Sequence, residues 1–482
     1  MRVLPLAVSL AGLLLVAGCG DPDKAEKVAP PTVRVGGAPS SPAAQTGAFS
    51  KEGWFGGADG LHARLAIRAV ERQGSKAVLR YSVTSMDSAS KTVPLEIALV
   101  DPVGRRLYKP TGTTSAAGLA PGTTREMAAE YPPIPADVQK VTAITPGTAG
   151  EFTGIPVTSG SATPTSSTPT FSPSGGYSGS REPALPLMAP TSPSSTPTSS
   201  TPSATTTSTT APGGNPVDLY GIVEGETQTV ASSRSGVTVS LGGDVLFETN
   251  TAKLSSQAKD VLDDTAEQIK AKASRALTIE GHAGDSKLSG ERAQAVQKEL
   301  KSRLGDDFTY AASGKQGGNG VDISYQLKST TSGGTSPATF RAQDGQKVGT
   351  RTASFGKDKR RLEVKPFHRD GAYIVAVFDI VDEGPGTTPP DASYPSTNYP
   401  GGVFGSFSIQ VPGQKDVYRA VRVGPATPGS TSTYIDPGRA VFRTAVNEPV
   451  RGFVYLPAPP GNVTSVTFDA GPFGKVDKVP VS

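Results

Sequence analysis

Apolar positions along the chain follow more than one period. Leu61, Ala63, Leu65, Ile67 and Ala69 alternate with His62, Arg64, Ala66 and Arg68, a period of two that turns one face of a strand toward a core. Gln73-Gly74-Ser75 marks a turn, Leu79, Tyr81 and Val83 resume the alternation, and Leu95, Ile97 and Leu99 repeat it before Asp101-Pro102. Short strands at this spacing predict a β-sandwich over residues 51–158. Further on the period changes. Val237-Thr238-Val239-Ser240-Leu241 alternates as a strand and Leu246-Phe247 begins another short apolar run. Ala258, Val261, Leu262, Ala266 and Ile269 then recur at spacings of three and four, behind Ser255 as a helix N-cap. Ala276-Leu277-Thr278-Ile279-Glu280-Gly281-His282 reads as the next strand, and Ala293, Val296, Leu300 and Leu304 as the stripe of a second helix. Arg361-Leu362-Glu363-Val364 reads as a final strand. The order β-α-β-α-β predicts an α+β domain, two helices on one sheet, over residues 217–367.

Residues 370–482 look like a diverged copy of the first segment. Tyr131-Pro132-Pro133-Ile134-Pro135, followed by Val138, Val141-Thr142 and Pro156-Val157-Thr158, aligns with Tyr455-Leu456-Pro457-Ala458-Pro459. That second block is followed by Val463, Val466-Thr467 and Pro480-Val481-Ser482. A shared turn, strand and strand end at matching intervals points to duplication. The expected architecture is multidomain: two all-β Ig-like sandwiches flank the central α+β domain. Two stretches lack periodicity. Residues 19–50 are rich in Pro, Ala, Gly and Ser and read as a spacer. Residues 159–216 are dominated by Ser, Thr, Pro and Gly and read as a semi-extended tether that lets the downstream domains search a volume.

The opening residues set the compartment. Met1-Arg2 precedes an apolar run from Val3 to Val16, shorter than the roughly 18 residues a membrane-spanning helix needs, and residues 1–18 read as a signal peptide. Val16-Ala17-Gly18-Cys19 resembles a lipobox, which implies that Cys19 becomes the lipidated N-terminus and holds the chain to a membrane. Cys19 is the single cysteine, so disulfides and cysteine-based metal sites are excluded. Lys and Arg number 47 against 43 Asp and Glu, the signs are interspersed, and no aromatic-interleaved basic motif appears. Nucleic acid is therefore not an expected partner.

Four blocks of the central domain carry a family resemblance. They are Val245-Leu246-Phe247-Glu248-Thr249-Asn250-Thr251-Ala252-Lys253-Leu254, then Ile279-Glu280-Gly281-His282, then Ser289-Gly290-Glu291-Arg292-Ala293-Gln294-Ala295-Val296, and Lys357-Asp358-Lys359-Arg360-Arg361-Leu362-Glu363-Val364. In this order they resemble the OmpA C-terminal-like domain. The resemblance implies non-covalent binding of peptidoglycan through the diaminopimelate of its stem peptide, gripped by a loop aspartate and a helix arginine. A zwitterion suits that pair, because its carboxylate meets a planar guanidinium while its ammonium meets an acid. Arg292 falls on the family arginine. Asp285 is the candidate acid, one position later than the family pattern, in a loop about seven residues short of that pattern. Asn250 is a candidate polar ligand-side residue, and Arg360 and Arg361 match a closing Arg-Arg pair. His282 is expected to pack or hydrogen-bond at a strand end. Between the second helix and the Arg-Arg pair lies a Gly/Ser/Thr-rich insertion around Gly317 to Ser336.

No nucleophile elbow, His-Glu-x-x-His zinc motif, phosphate loop or histidine pair is present, and His62, His282 and His368 fall in different segments. Catalysis, a cofactor and a resident metal are not expected. The leading reading is a membrane-anchored, extracytoplasmic, peptidoglycan-binding lipoprotein. The competing one is a structural or protein-interaction lipoprotein whose central domain has lost its ligand and whose sandwiches meet another protein.

Overall fold

The computed structural model describes residues 49–56, 60–112, 115–160, 215–328, 336–386, 393–426, 431–438 and 445–482. Cys19, the apolar leader before it and nearly all of the 159–216 stretch lie outside the described residues.

Ten strands make the first segment: β1 (Phe49–Phe55), β2 (Leu61–Gln73), β3 (Lys76–Ser85), β4 (Lys91–Pro94), β5 (Ala98–Asp101), β6 (Arg106–Tyr108), β7 (Ser115–Leu119), β8 (Thr124–Tyr131), β9 (Lys140–Ile144) and β10 (Glu151–Ser159). One sheet runs β1-β2-β3-β8 and the facing one β6-β5-β9-β10. The alternating residues Leu61, Leu65, Ile67, Leu79, Tyr81, Leu95, Ile97 and Leu99 fill the space between them. Ala69 is an exception. The β2–β3 register shifts between Ile67 and Ala69, so Val70 takes the core position instead, as a β-bulge requires.

The central segment holds β11 (Val217–Glu224), β12 (Gln228–Ser232), β13 (Gly236–Gly242), the short helix α1 (Gly243–Leu246), α2 (Ala258–Lys272), β14 (Ala273–Ala283), α3 (Ser286–Leu304), β15 (Thr309–Gln316) and β16 (Gly320–Leu327). The run at Leu246-Phe247 thus lies at the end of a turn of helix. All nine residues predicted to form the two helical stripes are buried, five on α2 and four on α3, against Val237, Val239, Leu241, Leu277, Ile279, Val321 and Ile323 of the sheet. Ser255 lies before α2, where its Oγ accepts from Ala258 N at 3.1 Å. The sheet closes differently from expectation. β16, inside the stretch read as an insertion, slots antiparallel between β13 and β14, and β15 pairs parallel with β14. Both edges of β14 are then occupied, and no place remains beside it for Arg361–Val364.

That block belongs to the third segment: β17 (Gly349–Phe355), β18 (Asp358–Val364), β19 (His368–Asp370), β20 (Tyr373–Asp382), β21 (Ser408–Gln410), β22 (Val417–Val423), β23 (Thr433–Tyr434), β24 (Pro449–Pro457), β25 (Ser465–Asp469) and β26 (Lys475–Pro480). β18 pairs with β17 and β20. Arg360 is buried, stacks 4.4 Å from the Phe355 ring centre and donates to Tyr394 Oη, whereas Arg361 pairs with Glu363 and Glu383. The strand order β17-β18-β20-β24 over β22-β21-β25-β26 repeats that of the first segment. Even the parallel contact of β2 with β10 recurs, as a bridge between Phe367 and Val481. The sequence blocks that align begin at Tyr131 and Tyr455, at the ends of the equivalent strands β8 and β24.

The two halves are not separate beads, contrary to expectation. β20 is buried on both faces. Its Tyr373, Val375 and Val377, with Phe453 and Tyr455, share a core with Val100, Leu107 and Ile144 of the first segment and with Leu219 of β11. β11 also joins them by hydrogen bonds: Val217 and Asp218 pair with β6, and Leu219 to Glu224 with β22, while β12 occupies its other edge. The strands on either side of the Ser/Thr/Pro stretch, β10 and β11, therefore pack into one body. The stretch links two points of that body and is not a tether to a free domain.

Charged groups cross the same junction. Arg451 of β24 holds both oxygens of Glu151 at 2.9 and 3.0 Å and those of Asp344 at 2.6 and 2.8 Å. Lys51 Nζ lies 3.4 Å from Glu151 Oε1 and donates to Glu151 O at 2.7 Å. Burial by itself would raise the Glu151 carboxyl, but Arg451 and Lys51 outweigh it and hold it below the usual range. Nearby, Asp370 accepts from Thr142 Oγ1 at 2.7 Å, Tyr455 Oη at 3.1 Å and Ala338 N at 3.0 Å. Burial pushes Asp370 up to about 6 and its neighbour His368 down to about 4.

These two groups oppose each other in pH dependence. Between pH 4 and 6 the folded chain keeps a proton on Asp370 that the unfolded chain has lost, so this group subtracts stability as pH rises. Over the same window the unfolded chain holds a proton on His368 that the folded chain does not, so that group adds stability as pH rises. Asp370→Asn removes only the first effect. Relative to wild type, the variant should gain on the order of 3 kcal/mol as pH rises from about 4 to about 6, measured as the difference in urea unfolding free energy. A difference that stays constant with pH would show that Asp370 does not ionise in its buried setting.

Candidate ligand-binding site

Glycine decides how close α3 comes to the sheet. A Cβ at Gly281 would stand 2.1 Å from Ser289 O and 2.9 Å from Ala293 N, and one at Gly314 would stand 2.3 Å from Gly290 N. With hydrogens there instead, α3 lies directly on β14 and β15. Asp285 fixes its start: the carboxylate accepts from Leu288 N at 2.8 Å as the N-cap.

This placement carries Arg292, two turns into α3, to the end of the sheet, where it is only 4% exposed. Its Nε donates to Thr251 O at 3.1 Å, and its Nη1 to His282 O at 3.0 Å and to Asn319 Oδ1 at 2.7 Å. The guanidinium carbon lies 4.9 Å from the centre of the Phe247 ring, a cation–π contact. Nη2 makes no hydrogen bond among the described residues. A buried guanidinium held on one side by three oxygens thus keeps one amino group for something else.

Arg292 lines a cavity of about 390 Å³, together with Leu288 of α3 and with Ala283 and Gly284 at the end of β14. Its remaining walls are Asp244, Phe247, Glu248 and Asn250 around α1, and Asn319. Asn250 has φ of +54°, a left-handed conformation that asparagine tolerates, in a turn where Thr251 N donates to Glu248 O at 3.1 Å. Asn319 ties two walls together, since its backbone oxygen accepts from Gly243 N at 3.2 Å while its side chain holds Arg292. A Cβ at Gly243 would overlap that amide at 2.2 Å. Chemically, the cavity has one buried cation at its floor and two exposed acids, Asp244 and Glu248, at its rim. Glu248 is partly engaged by Lys253 at 2.7 Å.

Of the residues singled out from the sequence, Arg292 and Asn250 line this cavity together. Asp285 does not line it. Its carboxylate is spent on the helix N-terminus, because the short loop after His282 runs straight into α3. His282 contributes only its carbonyl to the site, and its ring points to the opposite face of the sheet, 3.1 Å from Asp322. Asp244 and Asn319 were missed. The signal for Asn319 lay in Gly317-Gly318-Asn319-Gly320 followed by the alternating Val321, Ile323 and Tyr325, a tight turn into a strand.

Residues 246–315 match the OmpA family model, so the chain carries an OmpA-like domain, which runs from the end of α1 through β15. No curated protein matches the sequence. Similar solved structures include the cell wall anchor of the T6SS from Pseudomonas aeruginosa, at 20% identity and a TM-score of 0.20, covering 21% of this chain and 90% of that one. The periplasmic domain of Helicobacter pylori MotB is similar at 16% identity and a TM-score of 0.20, covering 22% of this chain and 83% of that one. An outer membrane protein from Borrelia burgdorferi B31 is similar at 20% identity and a TM-score of 0.18, covering 21% of this chain and 98% of that one. Among the described residues no helix is long and apolar enough to cross a membrane.

Proposed function

We infer that this chain is a lipid-anchored protein of the cell envelope that grips peptidoglycan non-covalently at the Arg292 cavity. The observation that carries the reading is a buried, pre-positioned guanidinium that lines a polar cavity in an OmpA-like domain and whose Nη2 makes no hydrogen bond among the described residues. A diaminopimelate end fits such a cavity by charge. Its carboxylate meets Arg292, where the guanidinium is already oriented and little order has to be imposed on binding. Its ammonium faces Asp244 at the rim, while Asp285 acts at one remove by fixing α3. Lipid on Cys19 keeps the protein beside a polymer that presents many copies of the ligand, so weak individual contacts suffice for retention.

Purified protein should sediment with insoluble peptidoglycan, and Arg292→Ala should stay largely in solution. Because Arg292 also holds Thr251, His282 and Asn319, Asp244→Asn serves as a second variant that leaves those bonds intact. It should weaken binding of a free stem peptide about tenfold, or about 1.4 kcal/mol, in titration calorimetry. Sedimentation of a folded Arg292→Ala protein equal to that of wild type would overturn the assignment and favour a structural or protein-interaction role.

A further inference from the structure

The face of the central sheet turned away from α2 and α3 carries a second cluster of chemistry. Thr278, Glu280 and His282 share that face because side chains alternate along β14, and β16 places Asp322 directly opposite Glu280. Opposite His282 on β16 stands Gly320, so no side chain of that strand fills the space beside the imidazole, while on β15 Lys315 stands in register with it. His282 Nε2 lies 3.1 Å from an Asp322 oxygen and 3.6 Å from a Glu280 oxygen. One donor atom from each of the three residues falls within 4.8 Å of the others.

A hydrogen bond accounts for half of this. Nε2 can offer one proton to one carboxylate, and the second carboxylate is left converging on the same nitrogen. A shared cation accounts for both. Zinc bonds of about 2.0–2.2 Å in a tetrahedron give ligand-to-ligand edges of about 3.3–3.6 Å, and the two nitrogen-to-oxygen separations bracket that range. One imidazole with two carboxylates is also a donor set that suits zinc.

The setting leaves room for an ion. The three side chains line a cleft of about 600 Å³ whose far wall is Tyr220 and Arg422, stacked at 5.2 Å. Ser240 of β13 stands in register with Asp322 and lines the same cleft. The competing cation is Lys315, whose Nζ is 3.5 Å from Glu280 and whose side chain is 43% exposed. A flexible, half-exposed lysine can swing into water when a divalent ion arrives, while Arg422 is held on the far wall by its stacking on Tyr220.

We propose that Glu280, His282 and Asp322 form a three-ligand site for a divalent transition ion, zinc in the first instance, with its fourth position open to the cleft. The ion pins the strand end whose carbonyl, at His282, also holds Arg292.

The test is titration of the untagged, chelator-treated full chain with zinc chloride in the absence of peptidoglycan. Cobalt substitution supplies a visible spectrum that reports tetrahedral coordination. One ion per chain is expected. Glu280→Gln and Asp322→Asn should each weaken uptake at least about tenfold, whereas Glu226→Gln, an exposed acid elsewhere on the body, should leave it unchanged. Both test variants alter partly exposed side chains, and circular dichroism verifies that they fold. No stoichiometric uptake by wild type, or equal uptake by both test variants, overturns the proposal. Since no peptidoglycan is present, neither result bears on the Arg292 cavity.

Discussion

Arg451→Ala is expected to lower the unfolding free energy by about 3–5 kcal/mol, the range for breaking a buried ion pair by removing one partner. Arg451 is 15% exposed at its side chain, Glu151 2% and Asp344 18%. Removing the guanidinium leaves two buried carboxylates with Lys51 as the nearest cation, itself held below the usual lysine range because burial penalises its charge. Asp344, depressed to about 2 because Arg451 outweighs the burial that would raise it, loses its main support. Glu151→Gln combined with Arg451→Met should cost less than the sum of the single changes, because the second substitution then strands one carboxylate, Asp344, rather than two. Urea unfolding at neutral pH measures all three. The variant also probes architecture, since Glu151 and Arg451 belong to different sandwiches. A loss below about 1 kcal/mol, the level of an exposed pair, would mean that the sandwiches part in solution and that water screens the network.

None of that network was legible in the sequence, and the reason is distance along the chain: Lys51 and Glu151 are 100 residues apart, Glu151 and Arg451 are 300. Periodicity reports which face of an element is buried, not what covers it. It therefore delivered the stripes of α2 and α3 and most of the first sandwich. It fell silent on Tyr373 to Val381, where both faces are apolar and the second face meets another sandwich. The repeat of strand order was legible at its ends, where Tyr131 and Tyr455 sit in matching contexts. The misplaced boundary had a different origin. Arg360-Arg361 carried the right residue types, while the strand that closes the central sheet, Gly320–Leu327, was hidden behind a glycine-rich turn. Arg292 was legible because it stands in the Ser289–Val296 block that carries the family resemblance. The acid beside it was not, because the loop after His282 runs straight into α3, so that Asp285 caps the helix and Asp244 lines the cavity instead.

The cavity depends more on a missing side chain than on any present one. Gly281→Ala should destabilise the protein by about 1–3 kcal/mol, as overpacking does. The upper end is expected, because the atoms a Cβ would strike, Ser289 O at 2.1 Å and Ala293 N at 2.9 Å, are backbone and cannot rotate aside. Gly284→Ala, three residues further on, meets nothing within 4 Å and should stay within about 0.5 kcal/mol of wild type. The first substitution also has a functional consequence that follows from the packing of α3. To clear the methyl group α3 must move off β14 by about 1 Å. Arg292 then loses the 3.0 Å bond to His282 O and the 2.7 Å bond to Asn319 that aim its free amino group, because hydrogen bonds weaken steeply beyond their normal range. Stem-peptide affinity should therefore fall along with stability in Gly281→Ala. A variant that lost stability yet bound the peptide with wild-type affinity would show that α3 absorbs the strain elsewhere and that its seat on the sheet does not set the position of Arg292.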